Sequence, residues 1–252
     1  GFAMMGMLLW KSPEPGKREK KVVLTERSVL HMRFACAEVI RGRKTPEAVL
    51  RRRVLAAAKK LHQAGVVRAV LPAEFPFGRE LEKYAIRPVS TLPLRRALAA
   101  QTVSWRLERL GVDGGARVAV AGEQLTGELV RTVTELALRY RYVLLDLPYG
   151  AEELGRQLRR EYGVSLLLSP SAEQLEGAEA LVLFGERRDL KRKNPVVLAL
   201  YEGGGEDLPP LVLPPAMEER LIGGCDRPQL LCALREAGAI RPGQISLGTS
   251  KG

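Results

Sequence analysis

The chain has 252 residues, 46% of them hydrophobic and 27% charged, with a formal net charge of +11. That length and balance exclude a wholly disordered chain and a disulfide-stapled miniprotein, and suit one large domain or two modest ones. Cys36, Cys225 and Cys232 with His31 and His62 fall in no zinc-ligand spacing, and no apolar run reaches the length of a membrane span, so the composition points to a cytoplasmic protein without a metal site.

Phe2 to Trp10 is apolar but short, without the basic lead or cleavage site of a signal peptide, and Gly1-Phe2-Ala3 reads as a cloning remnant. The Pro-, Gly- and Lys-rich stretch Lys11 to Lys21 follows, so residues 1–21 read as a flexible N-terminal segment. Residues 22–113 then form a smaller N-terminal α/β part. Lys21 to Glu26 is a predicted strand and Ser28 to Ile40 a predicted helix. On that helix His31 and Cys36 would lie roughly 140° apart around the axis, which makes a poor base and nucleophile pair. Thr45-Pro46 reads as an N-cap with proline at the first helical position. Val49, Leu50, Val54, Ala57, Ala58 and Leu61 recur at helical spacing up to Gly65, and Arg51, Arg52 and Arg53 fall on a solvated face. Val66 to Leu71 is a predicted strand stopped by Pro72. Leu92 to Leu110 reads as one long amphipathic helix, and the glycines at 111, 114 and 115 mark the boundary after it.

Residues 114–252 keep a regular rhythm. Predicted strands Arg117 to Ala121, Tyr142 to Asp146, Val164 to Leu168, Ala180 to Phe184 and Pro195 to Tyr201 are short apolar runs. Predicted helices Leu125 to Arg139, Ala151 to Tyr162 and Ser171 to Gly177 separate the first four, the last opening on a Ser171/Gln174 capping box. A final helix spans Asp226 to Ala237, with Asp226 as N-cap and Gly238 after its end. Unbroken apolar strands joined by helices require a mostly parallel, doubly wound sheet buried on both faces.

Gly122-Glu123-Gln124-Leu125-Thr126-Gly127 leaves the first of these strands. It resembles the dinucleotide fingerprint G-x-G-x-x-G, and Arg117 to Asp146 thereby resembles the opening of a Rossmann-like domain, a superfold rather than one family. The resemblance assigns Gly122 to the turn, Gly127 to close helix packing and Asp146 to the ribose, about 20 residues on. It also exposes a defect. Gln124 stands where bare backbone should meet the pyrophosphate, and Glu123 adds a charge that repels phosphate. Gly122, Gln124, Thr126, Gly127 and Asp146 are therefore the residues of a degenerate cofactor site. In the usual strand order the first and fourth strands meet at the switch point, so Arg187, Arg188 and Lys191 are expected to overhang that crevice and attract an anion.

Three functions fit these residues. One is a binding, regulatory or scaffold protein, with an anionic small molecule or a protein as partner, or self-association as a homodimer. A second is a two-lobed NAD(P)-dependent oxidoreductase, of the kind resembling shikimate dehydrogenase, although no catalytic pair stands out in residues 22–113. A third is a nucleic-acid-binding protein acting through its basic surface. The degenerate turn favours the first and disfavours NAD(P).

Overall fold

The computed structural model describes residues 4–112, 114–205 and 208–248. Gly1-Phe2-Ala3, read above as a cloning remnant, lie outside the described residues. Two compact units emerge: residues 1–91 with 212–245, and residues 92–211 with 246–252. The division expected near residue 114 therefore falls before the Leu92 helix, and a late segment returns to the first unit.

The first unit is built on a five-stranded sheet. Strand β1 (Gly6–Lys11) lies at its centre, with Met7 and Leu8 fully buried. This corrects the flexible reading of residues 1–21 for its apolar part, because GMLLW is a buried parallel strand. Strands β2 (Val22–Val29) and β3 (Met32–Ile40) form an antiparallel hairpin, and β3 pairs in parallel with β1. The helix expected over Ser28 to Ile40 is thus a strand. Its two-residue turn, Leu30-His31, takes positive φ at both positions (47° and 69°), the twist a tight hairpin requires, without the usual Asn or Gly. Helix α1 (Glu47–Gln63) starts one residue later than expected, since the Thr45 hydroxyl accepts from Gly42 N–H rather than capping the helix. It ends at Gly65, whose φ of +83° only glycine adopts freely. Strand β4 (Arg68–Val70), short helix α2 (Gly78–Glu82) and strand β5 (Arg87–Pro88) complete the sheet order β2-β3-β1-β4-β5. Val54, Ala57, Ala58 and Leu61 of α1 pack on Leu8, Ala35, Ala37 and Val39.

In the second unit the single helix expected from Leu92 to Leu110 is broken. Helix α3 (Leu92–Ala97) ends at Leu98, whose backbone (φ −101°, ψ 10°) leaves the helical region, and α4 (Ala99–Arg109) follows. The core is then β6 (Arg117–Ala121), α5 (Gly127–Arg139), β7 (Tyr142–Asp146), α6 (Ala151–Tyr162), β8 (Leu166–Leu168), α7 (Ala172–Glu176), β9 (Ala180–Leu183) and β10 (Val196–Ala199). All five strands are parallel, in the order β10-β9-β6-β7-β8. Numbered within the unit and read from the other edge, that is 3-2-1-4-5, the Rossmann order. Val118 stands between Val143 and Ala180, and Val120 between Leu145 and Val182. Helices α4, α5 and α6 cover one face, on Val118, Val120, Val143, Leu145 and Val182. The other face packs Ala119, Ala121, Leu144, Leu181 and Leu183 under Leu175 of α7 and Leu190. The chain is a Rossmann-like α/β protein with mainly parallel sheets.

Beyond β10 come strand β11 (Leu211–Val212), helices α8 (Pro215–Glu218) and α9 (Arg227–Glu236), and strand β12 (Ser246–Leu247). Helix α9 is capped by Asp226, which accepts from Gln229 N–H. It belongs to the first unit and packs on β4. Leu71 N–H donates to Gln229 Oε1, and Arg68 holds Glu236 through both guanidinium nitrogens at 2.9 and 2.6 Å.

Candidate functional site

β6 and β9 lie side by side, but β6 leads to α5 and β7 on one side while β9 leads to β10 on the other. The two connections part at the carboxyl ends of these strands and leave a crevice, the place where open α/β sheets bind ligands. Its cavity is about 230 Å³, lined by Ala121, Gly122, Glu123, Asp146, Arg187 and Gly185 among others. Small-molecule sites commonly run from roughly 300 to 1,000 Å³, so this one is small.

The turn out of β6 assigns its glycines differently from the fingerprint. A Cβ on Gly122 would stand 2.5 Å from Leu129 Cδ1 of α5 and 3.5 Å from Phe184 Cβ, so Gly122 is where the helix packs closely on the strand end. A Cβ on Gly127 would meet nothing within 4 Å. The packing role expected of Gly127 is thus a correction: the helix begins at Gly127 itself, so that residue sits on its open first turn. Thr126 is the N-cap, accepting from Leu129 N–H at 3.2 Å, and one donor that an anion could have used is satisfied internally. Gln124 is exposed and does not line the cavity. Leu125 packs instead on the loop after β7, its Cδ2 3.0 Å from where a Cβ of Gly150 would be.

The charges in the crevice are matched to one another. Asp146, at the end of β7, reaches past β6 to Arg187, which follows β9; Arg187 Nη1 donates to Asp146 Oδ2 at 2.7 Å. Arg187 Nε and Nη2 grip Asp189 at 2.9 and 2.8 Å. All three guanidinium nitrogens therefore already donate. The hydrogen bond to Asp189 and then that to Asp146 hold Arg187 protonated more firmly than a free arginine, and the same guanidinium holds Asp189 below the usual carboxylate range. Arg188 points outward, 88% exposed, and pairs with Glu186 at 3.5 Å. Lys191 is exposed and lies off the cavity.

Of the residues expected to act together, the fold brings together Gly122, Asp146 and Arg187. Gln124, Thr126, Gly127, Arg188 and Lys191 do not line the crevice. Sequence reasoning did not assign Asp189 or Glu186 to the site. The alternating charges of Glu186-Arg187-Arg188-Asp189 were the available signal, since opposite charges two apart in a loop can pair locally. Among the described residues no group of three His, Cys, Asp or Glu is placed to hold a metal ion.

No protein-family model matches the chain, and no curated protein matches it by sequence. Solved structures with similar folds include a D-lactate dehydrogenase from Treponema pallidum (14% identity, TM-score 0.31, 53% of this chain and 46% of that one). Another is a D-lactate dehydrogenase with NAD+ from Lactobacillus jensenii (13%, 0.31, 60% and 56%). A third is an ornithine carbamoyltransferase from Pyrococcus furiosus (15%, 0.25, 72% and 59%). The chain spans about half the length of each. The fold rests on the strand order above and not on these alignments. No helix among the described residues is long and apolar enough to cross a membrane.

Proposed function

We propose that this chain is a Rossmann-like binding or regulatory protein whose switch-point crevice serves as a structural clamp and takes no dinucleotide. The observation that carries this is the Asp146–Arg187–Asp189 bridge across the mouth of β6. A pyrophosphate at the N-terminus of α5 would need Arg187 released from two carboxylates. It would also enter beside Glu123, Glu186 and Asp146, three negative charges against one positive. The ribose acceptor is engaged too, because Asp146 faces Arg187. Leu125 on Gly150 fills space between the first two loops.

A thermal-shift screen tests the proposal with NAD+, NADH, NADP+, NADPH and ATP. A ligand present at one hundred times its Kd stabilises a protein by about 2.7 kcal/mol. For a chain of this size that is roughly 5–10 °C in Tm. The expected result is no saturable rise with any of the five. A concentration-dependent rise with NAD(P)(H) would favour the oxidoreductase reading instead.

A further inference from the structure

In the first unit β1 is flanked by β3 and β4, and all three run parallel, so Lys11, Ile40 and Val70 finish at the same end of the sheet. Open α/β sheets take ligands outside the carboxyl ends of their strands. A cavity of about 660 Å³ opens there. It is walled by the end of β1 from Leu9 to Ser12, by Arg41 after β3, by Pro72-Ala73 after β4, and by the loop Ile222-Gly223-Gly224. Arg27 and Glu38 of the hairpin complete the wall.

The cavity wraps around the end of β1. In the parallel register Trp10 stands beside Val39, and Leu9 beside Glu38. Trp10 and Val39 pack with α1, so Leu9 and Glu38 face the other way. Arg27 reaches that second face, its Nη2 3.4 Å from Glu38 Oε1. Lys11, two residues beyond Leu9, falls on it too. Arg41 lies on the first face, its guanidinium 4.7 Å above the Trp10 ring. Each face thus carries an excess of one positive charge: Lys11 and Arg27 against Glu38 on one, Arg41 alone on the other.

These cations are held far more loosely than Arg187. The Arg41 side chain makes no hydrogen bond or ion pair among the described residues, and stacking on Trp10 leaves its in-plane N–H groups able to donate. Lys11 stands 3.8 Å from Glu19, beyond hydrogen-bond reach. The Arg27–Glu38 contact is longer than the roughly 2.7–2.9 Å of a strong charge-assisted bond. The backbone N–H groups of Ile222, Gly223 and Gly224 donate to no described residue, and both glycines are exposed.

We propose that this cavity binds a small aliphatic dicarboxylate that straddles the end of β1. One carboxylate lies on Arg41, the other on Arg27 and Lys11, and the loop N–H groups supply further donors. Two negative charges then answer two positive ones on opposite faces of a strand. A phosphate carries its charges on one centre and meets only one face. The volume falls within the roughly 300–1,000 Å³ of small-molecule sites. The cavity shares no residue with the crevice between β6 and β9, so either proposal can fail alone.

The test is calorimetric titration of the full chain with succinate, glutarate, butyrate and inorganic phosphate. Saturable binding of succinate or glutarate is expected, with butyrate and phosphate weaker by about tenfold or more, because each forgoes one of the two charge contacts. Arg41→Gln should weaken the dicarboxylate by about tenfold or more while leaving Tm unchanged, since Arg41 is exposed. Arg27→Gln, a second variant should the first fail to fold, should weaken it further, because Glu38 is left unpaired facing the ligand. Arg33→Gln, exposed on β3 and off this cavity, should leave affinity unchanged. No saturable binding of either dicarboxylate, butyrate or phosphate bound as tightly, wild-type affinity in folded Arg41→Gln or Arg27→Gln, or an equal loss in Arg33→Gln would each overturn the proposal.

Discussion

Exchanging alanine for glycine at the two ends of the turn after β6 separates two accounts of this site. In Gly122→Ala the new Cβ would stand 2.5 Å from Leu129 Cδ1. Leu129 is fully buried in the core under α5, so its side chain cannot swing aside without displacing neighbours such as Val133. Forced accommodation of that kind costs about 1–3 kcal/mol. In Gly127→Ala the Cβ meets nothing within 4 Å, at the first position of a capped helix. Alanine there should be neutral or stabilise by up to about 1 kcal/mol, through helix propensity and a less flexible unfolded chain. The two variants should therefore differ by about 1–4 kcal/mol, with Gly122→Ala melting lower by roughly 2–4 °C for each kcal/mol. A Trp10→Phe background leaves Trp105 of α4 as the sole tryptophan, so fluorescence during urea unfolding reports the second unit alone. If Gly127→Ala proves the more damaging, α5 packs on β6 as the dinucleotide fingerprint expects, and the geometry described for the crevice is wrong.

Three further outcomes are expected. Hydrogen bonds from Arg68 hold Glu236 below its ordinary range, so the pair contributes stability above the unfolded carboxylate pKa and loses it as pH falls. Both side chains are over a third exposed, so the contribution is only about 0.5–1 kcal/mol, and Glu236→Gln should flatten the acid limb of a Tm-against-pH curve by that amount. Burial pushes the Cys36 and Cys225 thiols up to about 11, so both should react slowly with a disulfide reagent at neutral pH until urea unfolds the chain; rapid native labelling would contradict their placement. Replacing Leu30-His31 with Asn-Gly should raise stability by roughly 1 kcal/mol, because Asn and Gly adopt the left-handed conformation of this turn with less strain; a loss in urea midpoint would argue against the hairpin.

The parallel sheet was legible because its strands are unbroken apolar runs between amphipathic helices, a pattern few other arrangements can bury. The hairpin was hidden by its turn: Leu30-His31 carries none of the glycine or asparagine that marks positive φ, so Ser28 to Ile40 looked continuous. Strand β1 was hidden by its neighbours, since a charged, proline-rich stretch follows it directly. The break at Leu98 has no proline or glycine to announce it. Sequence also placed Asp146 at the crevice, from the spacing of the fingerprint, and Arg187, from strand order and charge. Their pairing was not legible, because 41 residues separate them and only the adjacency of β7, β6 and β9 brings them within reach. The glycine roles were misassigned because the fingerprint fixes spacing, whereas here α5 starts only after five turn residues.

The account depends most on Arg187 remaining held by Asp146 and Asp189 when a dinucleotide is offered. Its Nε–H resonance in a 15N-resolved NMR spectrum follows that directly during titration with NADH. The expected signal is shifted and slow to exchange in the free protein, and unmoved by saturating nucleotide along with the amide of Gly122. Joint, saturable displacement of both resonances would mean that the bridge opens to admit a cofactor, contradicting a closed crevice.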